Sequence, residues 1–224
     1  MTTREDHLLT SVRTGLAPEV DENRLVPLVL AGHAPRSVIA ALAAEEVHIV
    51  RSDRRSFHLL AARAGETPAA EFFAMLAGGE TVALATLPAL ARASGYDDAA
   101  LAGYEPMAGC QAYPSYVARL AVQADPTDVV LAIVANFATW GDYCRQLAGA
   151  LRTRYGYDDA ACAFFDFFAT GSPELDALAA AALAAAVDDE QRLDTARRYG
   201  RLLQRYELMF WNTLADAAVP GQSG

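Results

Sequence analysis

Apolar residues recur at spacings of three and four along almost the whole chain, and runs of β-branched residues are few. That period places them on one face of an α-helix and does not suit the two-residue alternation of a half-buried strand. Hydrophobic residues fill 53% of the 224 positions, enough for a sizeable core. The pattern predicts an all-α chain with about eight helices, near residues 4–15, 22–32, 35–63, 67–94, 110–124, 126–154, 157–170 and 173–217, the last of them broken. The breaks carry helix-start punctuation: "GHAP", "GETP", "DPTD" and "GSPE" set proline and an acid or glycine where a new helix begins. The hexapeptide "GYDDAA" occurs twice, at 95–100 and 156–161, with glycine after one helix and an Asp pair able to cap the next. The flanking residues do not match, so this is turn chemistry rather than a solenoid repeat. No linker divides the chain. We expect a single helical domain over 1–217 and a disordered tail at 218–224, "AVPGQSG".

Several classes of function are disfavoured. The net charge of −10 argues against a nucleic-acid partner, which needs a basic stripe. The basic clusters "RSDRRSF" and "TARRYGRLLQRY" have acids nearby and read as solvated faces. No apolar run approaches the roughly 20 residues that span a bilayer, and "MTTREDHLL" lacks a signal-peptide core. The expectation is a cytoplasmic protein without a membrane partner. Cys110, Cys144 and Cys162 form no CxxC pair and read as free thiols. All four histidines lie within the first 58 residues, so a di-iron site built from Glu-x-x-His pairs is not expected, and no other metal or cofactor is. Phosphate loops, GxSxG elbows and HExxH motifs are missing from the sequence.

Polar groups nevertheless sit where the helical period predicts core. In "VLAIVANFATWGDYC", Asn136 shares a face with Ile133 and Trp140. Glu207 is flanked by Leu203, Phe210, Trp211 and Leu214, and Glu80 by Leu76, Leu84 and Leu87. Glu45 lies near Leu42 and Ile49, but the phase of that helix leaves Glu46 and Asp53 competing with it for the inward position. A buried carboxylate is costly unless paired or protonated, and burial raises its pKa into the range of a general acid or base. The alternative is a Glu bonded to Tyr or Arg that locks helix packing. The grouped aromatics "AYPSY", "FFDFF" and "YELMFW" suit either core or the wall of a ligand pocket.

These strings resemble the TenA-type (thiaminase II) family. "YELMFWNTLAD" is similar to its C-terminal signature, in which an acid precedes Phe-Trp. "QAYPSYVARLA", "AIVANFATWGDYCRQL" and "FFDFFAT" are similar to three further family segments, and the resemblance runs in order over about residues 25 to 217. "SDRRSF", "YEP" and "QAYP" also resemble an actinobacterial TenA/PqqC-like branch labelled as regulators. The resemblance implies a haem-oxygenase-like helical bundle, often oligomeric. Residue by residue it places the family's acid on Glu207, its pocket Tyr on Tyr113 and its early helix Asp on Glu45 or Glu46. It places the nucleophilic Cys on Asn136, the Tyr four residues later on Trp140, and the stacking Tyr on Phe168. An amide cannot form a covalent adduct with the pyrimidine of thiamin. Cys144, eight residues on, does not substitute for the missing thiol.

The expected function is therefore cofactor-free acid/base chemistry on an amine-bearing small molecule, and not thiaminase activity. The expected catalytic residues are Glu45, Asp53, Glu80 and Glu207; the expected substrate-binding residues are Tyr113, Asn136, Trp140, Phe168 and Trp211. Elimination, cyclisation or C–N rearrangement fit. The resemblance to proteins of actinobacterial specialised metabolism extends to aziridine closure with loss of sulfate, for which "RSDRR" would receive the anion. A homodimer or a complex with a partner protein is expected. The alternative is a non-catalytic ligand-binding or partner subunit.

Overall fold

Three prolines open helices in the structure, a computed structural model that describes residues 4–15, 22–184 and 189–218. The described residues form ten α-helices and no strand: α1 (Arg4–Gly15), α2 (Leu25–Leu30), α3 (Arg36–Ala64), α4 (Pro68–Ala93), α5 (Asp98–Ala102), α6 (Ala108–Gln123), α7 (Pro126–Tyr155), α8 (Asp159–Ala169), α9 (Pro173–Leu183) and α10 (Glu190–Ala217). Pro68, Pro126 and Pro173 stand in the first turns of α4, α7 and α9, where a missing N–H leaves no bond unmade. One difference from the expected elements is the five-residue α5; the last expected helix is broken, as its pattern predicts, into α9 and α10. Residues 185–188 between them, and 219–224 of the expected tail, lie outside the described residues.

Both copies of the hexapeptide work as turns. Gly95 and Gly156 adopt φ of 106° and 71°, and the Asp97 and Asp158 carboxylates accept from Ala100 N–H and Ala161 N–H at the starts of α5 and α8. No atom lies within 4 Å of a β-carbon built on Gly156, so its replacement tests backbone strain alone. Gly156→Ala should lower stability by about 1–2 kcal/mol in urea unfolding.

Six helices close a ring. α3 packs on α4, α4 on α8, α8 on α7, α7 on α10, α10 on α6, and α6 back on α3. α9 rests on α4 and α7, α2 on α7 and α10, and α1 on α7 and α9. α3, α4, α8 and α10 carry the fully buried Phe57, Phe72, Phe73, Phe164, Phe165 and Trp211. α4 is long and apolar enough, by length and composition, to cross a membrane, which corrects the expectation that no stretch approaches that length. Here it lies between α3, α8 and α9, and a core helix of a bundle passes the same test. Cys110, Cys144 and Cys162 are all buried free thiols.

Candidate active site

Each ring helix contributes to one inner cavity of about 40 Å³. α3 supplies Glu46, Ile49, Val50 and Asp53; α4 supplies Glu80; α6 supplies Tyr113; α7 supplies Asn136, Phe137 and Trp140; α8 supplies Phe168; α10 supplies Glu207 and Phe210. Glu46 and Asp53 are seven residues apart, two helical turns, so both face inward and do not compete. Four buried carboxylates thus meet in one space, and no Lys, Arg or His lines it.

Glu207 is the one held most closely. Trp211, one turn on, donates its indole N–H to Oε1 at 2.9 Å, and the Asn136 amide N–H donates to Oε2. Asn136 Oδ1 in turn accepts from the Tyr113 hydroxyl at 3.0 Å. Both polar ends of the buried amide are therefore satisfied, and its place on an apolar face costs little. Burial drives the Glu207 carboxyl upward, the two donors oppose it, and it settles at about 7. The other three have weaker or no support. Asp53 Oδ1 and Glu80 Oε2 are buried without a hydrogen-bond partner. Burial, with neighbouring carboxylates adding to it, pushes Glu46 and Glu80 well above the ordinary range, and burial alone does so for Asp53. All four carboxyls are thus disfavoured in their charged form, and Glu207 alone has two donors that oppose the effect of burial. Acid and base are thereby separated by environment.

Two expected site residues are placed elsewhere. Glu45 is fully buried but does not line the cavity. It accepts from the Tyr104 hydroxyl at 2.9 Å, Met107 N–H at 2.6 Å and the Gln111 amide at 2.6 Å, and so ties α3 to the first turn of α6. Adjacent residues on a helix point about 100° apart, which sends Glu45 to α6 and Glu46 to the cavity. Trp211 is likewise fully buried behind the cavity wall, packed on Trp140, Tyr143 and Phe210 with ring centres 4.9–5.5 Å away. It touches Glu207 rather than the cavity, which makes it a positioning residue. The "RSDRR" arginines also fail as an anion pocket: Arg51 and Arg55 are exposed, Arg54 is half-buried, and none lines either cavity. Cys144 is buried with its thiol pushed well up by burial, so it offers no nucleophilic thiolate. Among the described residues no group of three or more His, Cys, Asp and Glu is arranged to hold a metal ion.

Sequence reasoning missed Ile49, Val50, Phe137 and Phe210 as lining residues. Phe210 was recoverable, since three residues from Glu207 is the same helical face. It also missed a second, larger space of about 660 Å³ that shares Glu80, Phe137, Trp140 and Phe168 with the inner cavity. That size lies in the range of small-molecule sites. Three aromatic side chains and the Glu80 carboxyl thus border both chambers.

Comparison with known proteins agrees with this architecture. A TenA family transcription regulator from Silicibacter sp. TM1040 superposes with a TM-score of 0.71 at 16% identity, covering 93% of this chain and 96% of its own. A domain of unknown function with a haem-oxygenase-like fold from Shewanella denitrificans OS217 gives 0.71 at 13% identity, covering 96% and 90%. A TenA homologue from P. horikoshii OT3 gives 0.64 at 15% identity, covering 95% of each chain. No curated protein matches at a significant level. The fold is thus haem-oxygenase-like, and the TENA/THI-4/PQQC family model matches residues 25–217: the chain belongs to that family.

Proposed function

We propose that the inner cavity is the active site of an acid/base enzyme that acts on an amine-bearing small molecule and is not a thiaminase. One observation carries this: four buried carboxylates face one cavity that holds no cationic side chain, and two of them have unpartnered oxygens. An amine would pair with those oxygens and exchange protons with Glu207. Asn136 fixes Glu207 and has no thiol to attack a pyrimidine. In an elimination or a cyclisation Glu207 would take the proton from carbon or from the amine as the leaving group departs with its electron pair, and in a C–N rearrangement it would move the proton between the nitrogen and the carbon whose bonds exchange. Aziridine closure with loss of sulfate, within specialised metabolism, belongs to the same class but gains less support. Its anion would need a cation beside the reacting carbon, and the inner cavity has none.

The test is incubation of the protein with a small-molecule extract of its source, followed in time by mass spectrometry, for the wild type and Glu207→Gln. Thiamin is incubated separately. Catalytic consumption of an amine-containing compound by the wild type, at least about 100-fold slower in the variant, is the expected result. Thiamin should remain intact. Retention of a compound at one equivalent without turnover would move the protein to the non-catalytic binding reading, and thiamin cleavage would overturn the role given to Asn136.

A further inference from the structure

The two chambers together set the shape of the ligand. The inner one, at about 40 Å³, has space for about three water-sized groups, which is an ammonium and one or two carbons. The outer one, at about 660 Å³, has walls of Phe72, Leu76, Val134 and Phe137 and opens onto the same Glu80 carboxyl. Arg13 of α1 lines this chamber and not the inner one. One of its guanidinium nitrogens, Nη2, donates to Asp176 of α9 at 2.5 Å. Its Nε–H is buried and has no acceptor.

Buried polar atoms without partners are few in a folded chain, and each one left unpaired is costly. Among the described residues there are four, and three line these chambers: Asp53 Oδ1, Glu80 Oε2 and Arg13 Nε. The first two accept and line the inner chamber; the third donates and lines the outer one. We infer that the substrate is an elongated zwitterion, with a primary amine seated between Asp53 and Glu80, an apolar middle in the outer chamber, and a carboxylate or similar oxyanion on Arg13. This rests on the amine-directed reading above and adds the other two thirds of the molecule. Asp176 lines the outer chamber together with Arg13 and competes with the ligand for its charge.

Calorimetry with 8-aminooctanoate and octylamine tests it, using the full chain. The wild type should bind 8-aminooctanoate about tenfold more tightly than octylamine, the effect of one charge-assisted hydrogen bond. Arg13→Gln should erase that preference and leave octylamine unchanged, while Glu80→Gln should weaken both probes. Asp176→Asn, which keeps the shape of that chamber-lining side chain and removes its charge, should increase the preference. Equal binding of the two probes in the wild type, or a preference untouched in both Arg13→Gln and Asp176→Asn, would overturn the assignment of the oxyanion while the amine site stands. Failure of both probes to bind, with no change in Glu80→Gln, would overturn the amine reading itself.

Discussion

Trp211→Ala should lower the free energy of unfolding by about 3–5 kcal/mol, the range for removing a large aromatic side chain from a packed core. Trp211 is fully buried, and three aromatic rings surround it at 4.9–5.5 Å, so little of the space would refill by local movement. The same side chain holds Glu207 through its N–H. Trp211→Phe keeps a six-membered ring in the core and removes the donor with the rest of the indole, so it should cost less, about 1–2 kcal/mol. With one of its two donors gone, Glu207 should move above about 7, because the donors oppose the effect of burial. Urea unfolding of both variants at one pH reads the first effect, and a pH series on Trp211→Phe reads the second. A loss below about 1 kcal/mol for Trp211→Ala would place the ring outside the core.

The sequence was most informative where the physics is local. Helix starts at Pro68, Pro126 and Pro173, and the two Gly–Tyr–Asp–Asp turns, follow from a few adjacent residues. Asn136, Glu80 and Glu207 stood out because a polar residue on an otherwise apolar stripe breaks a simple pattern, and all three line the cavity. Glu45 was misplaced for a different reason. α3 packs on α4 and α6 and also meets α7 and α10, so residues 42–47 are all buried and no single stripe marks the inward side. Once burial surrounds a helix, periodicity cannot tell which of two neighbouring carboxylates faces the cavity. Trp211 differs from Phe210 by one position and lies behind the wall that Phe210 helps to form. The outer chamber was illegible because it is assembled from distant parts: Arg13 lies 163 residues from Asp176, its ion-pair partner. The same limit hid the ring itself, since α3 closes on α6, not on the helix that follows α4.

The carboxylate cluster should leave a signature in the pH dependence of stability. A carboxyl whose pKa is raised on folding keeps its proton in the native state at a pH where the unfolded chain has lost it. The native state then binds more protons, and stability falls as pH rises from the unfolded value to the folded one. For Glu207 that window runs from 4.5 to about 7, with burial as its largest cause. Glu207→Gln removes this titration, and its other effects on packing and hydrogen bonding do not vary with pH in the same way. The stability of the wild type relative to Glu207→Gln should therefore decrease by about 2–3 kcal/mol between pH 5 and pH 8. Urea unfolding of both proteins across that range measures it. A difference that stays constant would mean that Glu207 titrates alike in folded and unfolded chains, and so is not held in the environment on which the acid/base chemistry depends. A decrease of the expected size would show that the fold tolerates an unfavourable charge at Glu207 near neutral pH. Such a cost is expected of a group kept for proton transfer, because a carboxyl retained only for packing is more stable when fully paired.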